Sequence, residues 1–251
     1  MKRGNKQRSR KILWVFGAIF VISFVGGTVW QIFRQRGDEG VEIVQEQKVE
    51  KEAEEPQLSE EERRLEELKK DVLVVNKKNQ LPEDYAPGEN AEAKKQFYAL
   101  VDFARANGVD VGYTYSGYRG YAIQGTIFDN YSKSNGVKIA ETFSMRAGYS
   151  EHQTGLAFDL KHNSGKLYRN NDDTYDYKTD FIYQHAHEFG FIVRYRGDWQ
   201  EITGIKSEPW HLRYLGVELA TAVFNAGVPL EIFLGVEGGD YVWNEQGVDA
   251  R

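Results

Sequence analysis

Two short stretches of the chain carry the residue types that hydrolytic metal chemistry needs. The first runs Ser150-Glu151-His152-Gln153-Thr154-Gly155-Leu156-Ala157-Phe158-Asp159-Leu160, and the second is Glu208-Pro209-Trp210-His211. Catalytic zinc takes three protein ligands and keeps a fourth position open for water. His152, Asp159 and His211 offer two imidazole nitrogens and a carboxylate of suitable hardness. Glu208 stands three residues before His211, and a carboxylate beside a metal-bound water can act as general base and then hand the proton to a leaving amine. Pro209 disfavours helix at that point, so this is not the helical His-Glu-x-x-His arrangement.

Geometry limits how these residues can meet. Fully extended chain would part His152 from Asp159 by roughly 23 Å. They can share a metal only if the chain folds back, and Gln153-Thr154-Gly155 offers the turn. Ala157 and Asp159 then fall on one face of a strand, with the small Ala157 leaving room beside the site. Spacing alone does not separate a metal site from structural histidines. His162 sits in a polar segment and reads as a surface residue, while His185 and His187 read as packing or exposed positions of a helix.

The elements that must position these groups alternate irregularly. Val72–Val75 reads as a short strand followed by a turn. Asn90 can cap a helix carrying Phe97, Leu100, Val101 and Ala104 at helical spacing, ending at Gly108. Val109, Val111, Tyr113 and Tyr115 alternate as a strand that delivers Ser116-Gly117-Tyr118-Arg119 to its end. A second helix pattern runs through Gln124, Ile127, Phe128 and Tyr131. Residues 162–177 read as a polar surface loop, 179–189 as a helix, 191–195 and 210–214 as strands, and 217–226 as a further helix. Without a regular βαβ alternation, the pattern predicts an α+β fold with a mainly antiparallel sheet and flanking helices.

Charge and hydropathy divide the chain further. Residues 1–36 hold eight Lys and Arg and no acid. Within them, 1–11 form a basic cytoplasmic segment, and 12–33 are uncharged and close to the roughly 20 residues that span a bilayer. The basic head predicts an inward N-terminus and an extracytoplasmic remainder, a single-pass cell-membrane anchor. A cleaved signal peptide is the competing reading, although the apolar run is long for one. Residues 34–70, rich in Glu and Lys, read as an acidic stalk or solvated linker, with Ser59-Glu60-Glu61-Glu62 able to cap a short helix. The folded domain is expected over 71–251. It is acidic, which argues against a nucleic-acid partner. The chain has no cysteine, which excludes disulfides, thiolate nucleophiles and Cys-based zinc sites.

Taken together, Ser150-x-His152-x-x-Gly155-x-Ala157-x-Asp159 and Glu208-x-Trp210-His211 resemble the zinc D-alanyl-D-alanine carboxypeptidases of the vancomycin-resistance type and their L,D-carboxypeptidase relatives. Ser116-Gly117-Tyr118-Arg119, Gln124 and Gly190-Phe191-Ile192-Val193-Arg194-Tyr195 fit the same pattern, while Ala147 stands where that family usually has Pro. The resemblance implies a zinc ion on His152, Asp159 and His211, with Glu208 activating water. It further implies that Arg119 holds or polarises the scissile peptide, that Ser150 helps bind the terminal carboxylate, and that Gln124 lines the pocket. The expected activity is removal of the C-terminal D-alanine from peptidoglycan stem peptides. The alternatives are L,D-cleavage of tetrapeptide stems and a non-catalytic zinc-containing wall-binding module.

Overall fold

A computed structural model describes residues 58–242 in full, together with the backbone of 29–36, 42–49, 243, 244, 247 and 248. The chain divides into two compact units, Met1–Gln57 and Leu58–Arg251. In the first, Val29–Arg36 (β1) pairs antiparallel with Glu42–Val49 (β2). The anchor expected over 12–33 lies, as far as residue 28, outside the described residues. Among the described residues, no helix is long and apolar enough to cross a membrane.

The second unit opens with Glu60–Lys70 (α1), inside the segment read as stalk. Ser59 and Glu62 form a reciprocal capping box, with acids in the first turn and lysines in the last to match the helix dipole. Arg64 meets Glu218 at 2.7 Å and the Lys69 ammonium lies 4.6 Å from the Phe233 ring centroid. Those contacts fix one face of α1 within the compact unit Leu58–Arg251.

The remaining α-helices and the strands of the main sheet are Ala91–Ala106 (α2), Tyr115–Ser116 (β3), Tyr121–Asn135 (α3), Val137–Ala140 (α4), Ala157–Leu160 (β4), Phe181–His185 (α5), Phe191–Tyr195 (β5), Gln200–Thr203 (α6), Glu208–Tyr214 (β6), Val217–Ala226 (α7) and Leu230–Leu234 (α8). Four strands form one antiparallel sheet in the order β3-β4-β6-β5. The α+β expectation therefore holds, as does the strand at Glu208 in place of a helix.

Strand alternation sorts the sheet into two faces. Phe158, Leu160, Leu212, Phe191 and Val193 join Phe97, Leu100, Val101 and Ala104 of α2 in the main core. Phe97 stacks on Phe158 with centroids 5.3 Å apart, a pairing that adds about 0.5–1.5 kcal/mol beyond the area buried. The intervening residues Asp159, His211, Arg213 and Arg194 leave the opposite face polar. One face supplies the main core, and the other carries the polar groups from which the site is built.

Two expected strands shrink. Val72–Val75 has no ladder partner, because Val75 is buried and the following Asn76 and Asn79 close a tight bridge. Of Val109–Tyr115 only Tyr115 enters the sheet. Val111 alternates because it is buried in the main core, not because it pairs. The 179–189 helix is α only to His185 and continues as 3₁₀ over Ala186–Phe189.

The fold-back expected at Gln153-Thr154-Gly155 is a 3₁₀ turn over Glu151–Thr154, closed by Gly155 at φ 73°. A Cβ there would collide with Gly88 O and lie 3.2 Å from Asn90 N. Gly155→Ala should cost about 1–2 kcal/mol for the left-handed backbone plus about 1–3 kcal/mol for the overlap. A thermal melt should show this as a fall in Tm of several degrees, about 2–4 °C per kcal/mol at this size. An unchanged Tm would mean that the facing loop yields freely.

Candidate active site

The site grows from one cross-strand pair. Asp159 of β4 stands directly opposite His211 of β6, a position in which Cβ atoms lie about 4.5–5.5 Å apart. The 3₁₀ turn brings His152 back over the same strands, and Arg119 N donates to His152 O at 3.1 Å, tying the segment after β3 to that turn. One ligand atom from each of His152, Asp159 and His211 then lies within 4.8 Å of the others, and all three residues are buried.

Hydrogen bonding fixes what these atoms can do. His152 Nδ1 sits 2.8 Å from Gly117 O, and since a carbonyl only accepts, the ring proton is on Nδ1. Its Nε2 lone pair therefore faces Asp159 Oδ2 at 3.2 Å. Burial pushes His152 below the usual imidazole range, which disfavours a second proton there. A lone pair and a carboxylate oxygen at that spacing want a cation between them. His211 Nδ1 lies 3.2 Å from Asp159 Oδ1. Two ligands held about 2.0–2.1 Å from a tetrahedral zinc are about 3.4 Å apart, so both the donor set and its spacing fit this metal.

The remaining charges are strongly coupled. Burial disfavours a charged His211, yet Asp159 and Glu151 at its two nitrogens lift it to about 9. Burial likewise opposes charge on Asp159, but the hydrogen bond and positive charge of His211 hold it well below the usual carboxylate range. Glu208, at the start of β6, lies farther out, with Oε2 3.9 Å from His211 Nδ1. Burial pushes its carboxyl up to about 8 against the pull of His211 and Arg119. Such a group can both take and give a proton near neutral pH.

These residues floor a cleft of about 1030 Å³. Arg119, Ser150, His152, Asp159, Glu208 and His211 all line it. Burial lowers the pKa of Arg119 against the opposing pull of the Asp159 and Glu208 charges, and its buried Nε has no hydrogen-bond partner among the described residues. Gln124 does not line the cleft as expected. It is buried, and its amide donates to Met145 O, so it props the segment whose Ser144 and Met145 form part of the wall.

His162, His185 and His187 stay outside the site, bonded to Asp110 O, Glu188 and Thr221. Two features escaped the sequence reading. The 162–177 segment is a cleft wall rather than plain surface, contributing Arg169, Asp172, Tyr175 and Tyr177. Its density of tyrosines amid polar residues was the available signal. Glu151 was the other, a carboxylate beside a ligand and almost wholly buried.

Comparison with known proteins follows the same residues. The VanY family model, described as D-alanyl-D-alanine carboxypeptidase, matches residues 88–217, which hold every site residue named above. A D-alanyl-D-alanine carboxypeptidase of Enterococcus faecalis is 32% identical over 184 residues, 66% of this chain and 66% of that protein. The match thus spans just under two thirds of that relative's length. Among solved structures, an L,D-carboxypeptidase DacB of Streptococcus pneumoniae is 40% identical, with a TM-score of 0.63 over 68% of this chain and 90% of that one. The Zn(II) complex of the vancomycin-resistance D,D-pentapeptidase VanY from a VanB-type cassette is 34% identical, with a TM-score of 0.53 over 64% of this chain and 97% of that one. With the metal-ligand geometry, the Glu208 carboxylate and a family match over more than half its length, the chain belongs to the VanY family of D-alanyl-D-alanine carboxypeptidases.

Proposed function

We propose that this chain is a zinc carboxypeptidase that removes the C-terminal D-alanine from peptidoglycan stem peptides. The observation that carries the reading is the division of labour on the cleft floor. Three ligand groups converge there while Glu208 stays just outside them, in the same cleft as Arg119, whose Nε has no hydrogen-bond partner among the described residues. When bound, zinc supplies a Lewis acid for the scissile carbonyl and lowers the pKa of a coordinated water.

The protein's own groups do the rest. Glu208 takes the proton of the attacking water and delivers it to the leaving amine of D-alanine. Arg119 holds the peptide oxygen next to the scissile bond, and Ser150, in the wall beside His152, binds the terminal carboxylate. Asp159 offsets the metal's charge and steadies both imidazoles. The apolar part of the cleft, with Tyr131, Phe143 and Trp210, accommodates the preceding stem residues.

Cleavage of tetrapeptide stems on an L,D-bond is the second reading. It is favoured by the higher identity and TM-score of the L,D-carboxypeptidase DacB relative to the D,D-pentapeptidase. Pentapeptide and tetrapeptide stems offered to the full chain, with products weighed by mass spectrometry, decide between the two. The expected result is loss of one alanine from the pentapeptide at a rate at least tenfold above the tetrapeptide, a difference of about 1.4 kcal/mol in the barrier. The reverse preference selects the L,D reading, and no product from either stem leaves a wall-binding module.

The location follows from the N-terminal sequence. Residues 1–11 remain in the cytoplasm, 12–33 anchor the chain in the cell membrane, and the acidic segment before Leu58 spaces the catalytic unit outward toward the wall. Accessibility to protease added outside intact cells tests this, and a protected domain would refute it.

A further inference from the structure

Behind the metal ligands lies a closed array of charges that the hydrolytic chemistry leaves unused. Glu151, Arg194, Arg213 and Glu231 are each only 1% exposed. Glu151 Oε1 accepts from Arg194 Nε at 2.9 Å and from Arg213 Nη1 at 3.1 Å. The other two nitrogens of Arg194 grip Glu231 of α8 in a fork, at 2.9 and 2.5 Å, and Asn76 adds a donor to Glu231 at 3.1 Å. Two carboxylates and two guanidiniums balance. An unpaired charge in such a place costs several kcal/mol, so both carboxylates stay ionised.

The second oxygen of Glu151, Oε2, meets His211 Nε2 at 3.1 Å. An ionised carboxylate can only accept, so Nε2 carries a proton. That leaves Nδ1, facing Asp159, as the ring atom able to coordinate. We propose that Glu151 is a positioning residue, fixing His211 in the tautomer whose Nδ1 serves the metal. Arg194 and Arg213 hold Glu151 against rotation, while Glu231 of α8 balances the remaining charge of Arg194. The proposal rests on the reading of His152, Asp159 and His211 as zinc ligands.

Glu151→Gln keeps the shape of the side chain and reverses one polarity. Its carbonyl must face the two arginines, which only donate, so its NH₂ faces Nε2. Donation into Nε2 moves the ring proton to Nδ1 and blocks the ligand atom. Carboxylates that support a zinc-bound histidine typically change metal affinity about 10–100-fold when replaced. Titration of the full chain with zinc against a chromophoric chelator should give one zinc per wild-type chain and a Kd raised about 10–100-fold in Glu151→Gln. Glu231→Gln removes a charge from the same array without touching His211, so its Kd should stay near wild type even if its Tm falls.

Equal losses of affinity in both variants, or none in Glu151→Gln, overturn the proposal. If Glu151→Gln does not fold, the ¹H–¹⁵N ring correlations of His211 in the zinc-loaded wild-type chain decide. A proton on Nε2 with zinc on Nδ1 supports the assignment, and zinc on Nε2 refutes it. A wild-type chain that binds no zinc would instead remove the ligand assignment itself, and this proposal with it.

Discussion

Glu208→Ala should lower kcat by about 10²–10⁴-fold while leaving zinc content at one per chain. The separation of effects comes from the geometry. Glu208 Oε2 is 3.9 Å from His211 Nδ1, whereas the Asp159 oxygens approach the two histidines at 3.2 Å. A group that lies farther out can contact a water without binding the metal. The shortened side chain opens toward the cleft rather than into the core, so stability should change little. Glu208→Gln is the sharper variant, because it keeps the shape and cannot accept the proton. Equal falls in zinc content and turnover would make Glu208 a ligand, and a loss below tenfold in kcat would remove it from the chemistry.

The candidate groups were legible in the sequence, and their roles came from the resemblance to the zinc carboxypeptidases. His152, Asp159, Glu208 and His211 stood out by residue type, with Gly155 marking a turn and Pro209 disfavouring a helix. Both constraints act on the local backbone. The helices over 91–106 and 217–226 were legible for a related reason, their apolar stripes being long enough to show a period.

What was not legible depends on contacts distant in the chain. Val109–Tyr115 alternates, but alternation records burial and says nothing of a ladder partner, so most of that expected strand is loop. Gln124 matches a pocket motif, yet its buried amide turns to Met145 O. Glu151 gave no sign of burial, because its compensation by Arg194 and Arg213 comes from strands β5 and β6. The capped helix α1 was visible in Ser59 and Glu62, but its docking through Arg64 to Glu218 on α7 was not.

Stripping the metal from the full chain with a strong chelator should abolish turnover, and added zinc should restore it. The chain should remain folded throughout. His152, Asp159 and His211 sit on a turn and two strands whose other face is held by the Phe97–Phe158 core, and Glu151 grips His211 from behind. Removal of the ion therefore leaves a preformed site, and the stability lost should be limited to the binding linkage, about 2.7 kcal/mol at a free zinc concentration of one hundred times Kd. Structural zinc sites behave differently, since small zinc-dependent domains unfold outright without their metal. Circular dichroism recorded beside the activity assay separates the two cases. Retained far-ultraviolet signal with reversible loss of turnover fits a catalytic ion on a rigid sheet. Full activity in the presence of chelator would sink the metal mechanism. Collapse of the fold on chelation would mean that the metal, rather than the core behind β4 and β6, holds the two strands in register.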